Sequence, residues 1–328
     1  MRRRRFLSLA AGGAIVAACE PTPSTSPSTD EGDTGEPSPA AAREVEPITS
    51  NEEFYVTSHA GTPTVDGATW TLDLDGQATV DLAGLAALPA RDKEHTLVCI
   101  GSTDRFRAMD NAVWTGMPLA EVLEALGVRV PDDATEIQID GADGYQQWLP
   151  VADLPEVWLV WEMNGEPLPP NHGYPLRMLV PDRYGMKNPK WVTRIAFSAE
   201  HRVGTWEAQG WSETCEIRPA AWAHFPADGE VVAEGVVPIA GSAYCGRTPI
   251  AKVEVSADAG DTWTEADLVY VGPDDTWTTW RLDWTPPGPG TYTLRVRCEA
   301  ADGRTTDPAY EQDLAGFTGE DTFTVTVV

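Results

Sequence analysis

Between positions 69 and 76 the chain reads TWTLDLDG, with apolar and polar residues alternating. A period of two predicts a half-buried strand. HTLVCI at 95–100 and EIQID at 136–140 predict two more, whereas PLAEVLEALGV at 118–128 spaces Leu119, Val122, Leu123 and Leu126 as one face of a helix. The pattern changes near Ser212 to Arg218. Beyond it VVPIAGSAYC, IAKVEVSAD, TWTTWRLDW, TYTLRVRCEA and DTFTVTVV follow one another with AGD, PPGPG and ADG turns and no helical period. These patterns predict an α+β domain over 47–212 and an all-β immunoglobulin-like sandwich over 213–328, with Leu294, Val296 and Cys298 facing inward from one sheet. At 328 residues the chain is long enough for two cores.

The first nineteen residues read as a targeting segment: Arg2 to Arg5 form a basic start and Phe6 to Ala18 a short apolar stretch, too short for an ordinary transmembrane helix. RRRFL resembles a twin-arginine export signal and Val16-Ala17-Ala18-Cys19 a lipobox, which implies an exported protein anchored to the membrane by lipid at Cys19. A plain secretory signal ending near Cys19 is the alternative. Residues 20–46 are rich in Pro, Ser, Thr, Asp and Glu with almost no large apolar side chains, the composition of a disordered tether. In an oxidising compartment, Cys215, Cys245 and Cys298 predict one disulfide and one leftover thiol. Because Cys298 reads as a core position, the expected pair is Cys215 with Cys245.

Charge narrows the choice of partners. Asp and Glu number 51 against 23 Lys and Arg, a net charge of -28, whose long-range field repels nucleic acid and anionic membranes. Any anionic ligand therefore needs a local cluster of cations. Only four lysines occur, and two of them lie with Arg177, Arg183 and Arg194 in HGYPLRMLVPDRYGMKNPKWVTR, residues 172–194, against the single acid Asp182. Such a segment, broken by Gly and Pro, suits a buried phosphate. Pairing of its cations with neighbouring carboxylates is the competing reading.

The run WEMNGEPLPPNHGYPLRMLVP followed by YGMKNPKWV resembles the central signature of the sulfite oxidase superfamily. This resemblance implies a molybdenum–molybdopterin cofactor, one metal per chain, contacted by His172, Arg177, Lys187, Asn188, Pro189 and Lys190. FYVTSHAG at 54–61 is similar to the family's opening loop, which adds Phe54, Tyr55, Ser58 and His59, and Asp140 falls where the family has a further pterin contact. Cys99, in TLVCIGST, matches the family's metal-ligating cysteine. A thiolate suits such a metal and must be deprotonated to bind, which Arg105 and Arg107 would favour. AVWTGMPLAEVLEALGV and, toward the C-terminus, GDTWTEADL and TWRLDW extend the likeness across 52–328, the last two into a region that in the family commonly mediates dimerisation.

Two positions depart from sulfite oxidases proper. Thr57 stands where they carry a substrate-binding arginine, and Trp211 where they carry an active-site tyrosine; Arg105 or Arg107 could restore a cation. The resemblance implies oxygen-atom transfer at molybdenum, most simply oxidation of sulfite or a related small sulfur compound. An external redox protein, a cytochrome or a quinone-linked partner, would take the electrons, since no haem-attachment motif is present. Reduction of S-oxides or N-oxides at the same centre is a second reading, and a non-catalytic adhesion lipoprotein a third.

Overall fold

The computed structural model describes residues 44–103, 106–310 and 313–328. The signal, Cys19 and almost all of the tether thus lie outside the described residues, as does Arg105. Strand Thr71–Leu74 forms where the alternation predicts it and lies in a mixed five-stranded sheet, between Ala78–Asp81 and Val192–Ser198, with Glu136–Gly141 and Gln146–Pro150 beyond. A second sheet pairs Arg91–Val98 with Met109–Pro118, then Trp158–Met163, which also carries Arg177–Leu179. The expected helix spans Leu119–Ala125, buries Leu119, Val122 and Leu123, and stops before Gly127, whose φ of 70° favours glycine. Leu72, Leu123, Ile137, Leu159 and Ile195 join these sheets and the helix in one core.

After residue 212 the described chain is strands and turns. One sheet runs Ala220–Phe225, Val237–Tyr244, Thr278–Trp284, Asp267–Val271; the other runs Glu230–Val232, Asp321–Val327, Gly290–Ala300, Ile250–Ser256, Thr264–Glu265. They share one apolar core in which Ile239, Ala243 and Trp280 of the first meet Val253, Leu294, Val296, Cys298 and Phe323 of the second. The expected disulfide is corrected. Cys215, Cys245 and Cys298 are free, buried thiols; Cys215 sits in a cluster with Val98 and Tyr184, whereas Cys245 and Cys298 belong to the sheet-pair core.

The two regions are tightly joined. Val98, Ile100 and Met109 pack with Ile217, Trp222, Tyr244 and Phe317 in a shared cluster. Asp275, with a side chain only 1% exposed, pairs with Lys93 at 3.0 Å and Arg247 at 3.2 Å. Arg107 bonds the backbone oxygen of Ala223 and the carboxylate of Asp321. The strand that leads into Cys99 is therefore braced from behind by the C-terminal sheets. Val45 and the Pro47 carbonyl also pack here, against Trp277 and its neighbours, so residues 44–46, expected in the tether, lie along the folded body. No helix among the described residues is long and apolar enough to cross a membrane.

Candidate active site

Cys99 follows directly on strand Arg91–Val98, its N–H donating to Ala108 at 2.9 Å, while the N–H of Ser102 donates to the Cys99 carbonyl at 3.0 Å. The hairpin end thus fixes the thiol at the wall of a cavity of about 220 Å³, which Thr57, Ser58, His59, Asn188, Pro189, Lys190 and Trp211 also line. A smaller recess of about 50 Å³ shares Thr57, Asn188 and Lys190 and adds Phe54, Tyr55, His172 and Arg177. Twelve of the residues proposed from sequence converge on these two spaces. Asp140, Lys187 and Arg107 line neither.

The electrostatics of the recess are unusual for so acidic a protein. Arg177 is buried at 4% exposure; one terminal nitrogen donates to the His172 carbonyl at 3.0 Å, its guanidinium lies 4.7 Å from the Trp114 ring centroid, and its Nε has no partner. Among the described residues no carboxylate pairs with it. Burial pulls its pKa down to about 10. Lys190 donates only to the Thr57 and Asn171 carbonyls, at 2.7 and 2.8 Å. Burial first, then the charge of Arg177, lowers its pKa to about 7. The Asp143 charge opposes this in part, and two such cations with no carboxylate bonded to either among the described residues are costly unless an anion arrives.

The backbone is shaped around them. Gly173 has φ 119°, and a Cβ there would lie 3.0 Å from that of Arg177 and 3.2 Å from that of Lys190. Trp191, buried at φ 52°, donates its indole N–H to the Pro170 carbonyl at 2.7 Å, and the Lys190 ammonium lies 4.3 Å from its ring centroid. A bulky residue in that conformation stores about 1 to 3 kcal/mol of strain, a cost met at ligand clamps. His172 donates Nε2 to the Asn51 carbonyl at 2.9 Å in the tautomer that this acceptor requires. Its pKa falls to about 4 through burial, which leaves the ring neutral. The Asn188 amide holds its own loop, accepting from the Val180 N–H at 2.7 Å and donating to Tyr184 at 3.1 Å. Burial, and Cys99 next, push the Tyr55 phenol well above its ordinary pKa.

The other three cations of the 172–194 segment are neutralised. Arg183 lies 3.8 Å from Asp153, Arg194 lies 3.0 Å from Asp140, and Lys187 lies 2.5 Å from Glu207 in a buried pair. Lys187 and Asp140, expected at the pterin, are thus spent on each other's kind: a carboxylate and a guanidinium outside the cavity. Arg107, expected to activate Cys99, is turned to the C-terminal sheets. Sequence reading also missed residues that line the main cavity, among them Asp143, Tyr145, Met186 and Trp206. Tyr145 and Trp206 flank His59, each with its ring centroid 5.9 Å away, and the Tyr145 hydroxyl donates to the Met186 carbonyl at 2.6 Å. Their signal in the sequence is local: aromatic residues in Gly-containing turns, GADGY and GTWEAQGW.

Arg177 Nε without a partner, the carbonyl-bound Lys190 and the adjoining thiol fit an anionic cofactor whose metal takes one sulfur from the protein. Comparison with known proteins agrees. Residues 59–206 match the family described as oxidoreductase molybdopterin binding domain. The chain is 31% identical over 152 residues to the uncharacterised oxidoreductase YuiH of Bacillus subtilis, covering 44% of this chain and 74% of that one.

The chain is similar to the sulfite oxidases, and its residues 59–206 match a molybdopterin-binding oxidoreductase domain.

It is 28% identical over 308 residues to mitochondrial sulfite oxidase of Mus musculus, covering 78% of this chain and 56% of the relative, and 29% over 307 residues to the human enzyme, with the same coverage. The chain therefore spans little more than half the length of these relatives. In fold it is similar to sulfane dehydrogenase SoxCD of Paracoccus pantotrophus, with a TM-score of 0.76, 20% identity and coverage of 88% and 82% of the two chains. This likeness fits the pairing of a cavity that a thiol lines with a recess that holds Arg177 and Lys190.

Proposed function

We propose that this chain is a molybdenum-cofactor oxidoreductase that transfers an oxygen atom to a small sulfur compound and passes the electrons to an external redox protein. The observation that carries the reading is the pair of buried Arg177 and partly buried Lys190, neither hydrogen-bonded to a carboxylate among the described residues, beside the cavity that Cys99 lines. When bound, the molybdenum cofactor supplies two-electron oxygen-atom exchange. The protein's own residues do the rest. Cys99 would give the metal a thiolate, and Arg177 and Lys190 would hold the anionic part of the pterin, with the neutral His172, Asn188 and the aromatic ring of Phe54 fixing the recess around it. The Met178 N–H on the Pro189 carbonyl, at 2.9 Å, ties the Lys190 turn to a core strand, so the cation is pre-positioned.

In the oxidising direction the substrate takes up the oxygen of one water, and two protons and two electrons leave. A cytochrome or quinone-linked partner would accept the electrons one at a time. Reduction of S-oxides or N-oxides is the second reading, and a specific feature favours it. The cavity wall is aromatic at Trp206 and Trp211, and among the described lining residues the only cation is Lys190, already bound to carbonyls. Among the described residues a dianion such as sulfite finds no spare guanidinium there, and each missing charge-assisted hydrogen bond is worth about 1.5 to 3 kcal/mol.

The same reading takes residues 47–212 as the cofactor-binding domain and 213–328 as an immunoglobulin-like sandwich able to pair two copies, with the chain exported and held by lipid at Cys19. Two assays on molybdenum-loaded protein test the direction: dye reduction driven by sulfite, and oxidation of a reduced dye by sulfoxides. A response to sulfite alone supports the first reading. A response to sulfoxides alone supports the second, and silence in both overturns the proposal.

A further inference from the structure

The single turn Gly185–Lys187 has two sides. Gly185 and Met186 line the thiol cavity, whereas Lys187 lines a separate cleft of about 240 Å³. The turn Glu207–Gln209 is divided in the same way: the preceding Trp206 faces the thiol cavity, and Glu207 faces the cleft. Lys187 and Glu207 meet behind the wall at 2.5 Å, with side chains 7% and 1% exposed. The Lys187 ammonium also donates to Gln147 Oε1 at 3.0 Å and to the Trp148 carbonyl at 3.2 Å. Gln147 in turn donates to the Met186 carbonyl at 2.9 Å, the same oxygen that takes the Tyr145 hydroxyl proton.

Trp206 and Trp211 pack against the buried cluster of Tyr184 and Cys215, and the segment that carries them has further ties at its ends. Thr205 bonds the backbone of Gln146, and Ser212 bonds the Leu314 carbonyl. At Gly204 a Cβ would fall 2.5 Å from both Gln147 Oε1 and Glu207 Oε2, so the segment lies hard against the ion pair. A buried pair tied to a third polar group has one geometry, which is the property needed to set the position of a wall.

We propose that the Lys187–Glu207 pair positions the Trp206–Trp211 segment as an aromatic wall, and that this wall selects substrates bearing an apolar substituent on the reacting sulfur or nitrogen over small inorganic anions. The inference rests on the oxidoreductase reading for its substrate class. Lys187 and Glu207 are positioning residues; neither touches the substrate. Aromatic faces reward an apolar or aromatic substituent through burial and edge or face contact, and Asp143 on the same cavity repels an anion.

The test uses the full chain with cofactor, with methyl phenyl sulfoxide, dimethyl sulfoxide and sulfite as probes, in wild type, in Glu207→Gln and in the paired exchange Lys187→Met with Glu207→Leu. The expected result for Glu207→Gln is a rise of at least about fivefold in KM for methyl phenyl sulfoxide, with kcat within about twofold and KM for dimethyl sulfoxide little changed, since only the larger substituent reaches the wall. Calorimetric binding of methyl phenyl sulfoxide should weaken by the same factor, with molybdenum content unchanged. Trp206→Leu guards against a folding defect in the ion-pair variants and should raise the same KM while leaving the pair intact. Equal effects on both sulfoxides, or a fall in kcat alone, would overturn the positioning role. Wild type that binds sulfite more tightly than methyl phenyl sulfoxide would overturn the substrate class. Wild type that binds the sulfoxide in the calorimeter yet turns over no probe would overturn the oxidoreductase reading and leave the wall standing.

Discussion

Arg177 and Lys187 are both buried cations of one segment, yet they are handled in opposite ways. Lys187 has a carboxylate at 2.5 Å, an amide oxygen and a carbonyl; Arg177 has one carbonyl, a ring face and an unpartnered Nε. In the first arrangement the charge is met by a carboxylate, although the Glu207 oxygens themselves have no hydrogen-bond partner among the described residues. The second is complete only with a ligand. In a chain with net charge -28, carboxylates are abundant, so a buried guanidinium left without one among the described residues marks a place for an external anion.

The comparison can be broken most forcefully at the compensated site. Lys187→Met leaves Glu207 charged and buried, and should cost about 3 to 5 kcal/mol of stability in chemical denaturation; adding Glu207→Leu should restore most of it. At the uncompensated site the same experiment has a different outcome. Arg177→Met should change the stability of the cofactor-free protein by less than about 1 kcal/mol, because the desolvation it relieves offsets the lost ring contact and hydrogen bond. Its cost should appear in cofactor affinity instead, by about 10- to 100-fold, the worth of a lost charge-assisted hydrogen bond, read from pterin fluorescence after gel filtration.

A smaller effect separates protonation states. Lys190 has its pKa lowered to about 7 in the cofactor-free protein, and a bound anion would raise it again. Below that pH the ammonium is already charged and contributes fully to anion binding. Above it, binding must take up a proton, so affinity should fall by about tenfold per pH unit. Lys190→Met should bind weakly and lose that slope; a wild-type affinity flat from pH 6 to 9 would contradict the role given to Lys190. The smallest effect belongs to Arg194, half-exposed between Asp73 and Asp140. Arg194→Gln should cost less than about 1 kcal/mol in denaturation and leave pterin retention unchanged.

These contrasts also explain what was legible in the sequence. Alternation at 69–76 and the helical spacing of Leu119, Val122 and Leu123 were readable because burial itself imposes those periods. The inward set Leu294, Val296 and Cys298 was readable for the same reason. The anion-binding segment was visible as a local excess of cations, but its division was not: which cations meet carboxylates depends on Glu207, Asp153 and Asp140, brought in from distant positions by the fold. Lys187 and Asp140 line neither space for that reason. The cysteine expectation failed similarly, since the sequence does not tell that Cys215 lies in one cluster and Cys245 in another. Trp206 and Tyr145 were overlooked because an aromatic residue in a turn looks alike whether it lines a cavity or caps a core.

Metal and pterin content of the chain purified from a molybdenum-competent host tests the central claim most directly, with Cys99→Ser and Arg177→Met alongside. Wild type should carry about one molybdenum and one pterin per chain, and both variants distinctly less. Less than about a tenth of an equivalent of molybdenum in wild type, or variants that retain the full complement, would contradict it.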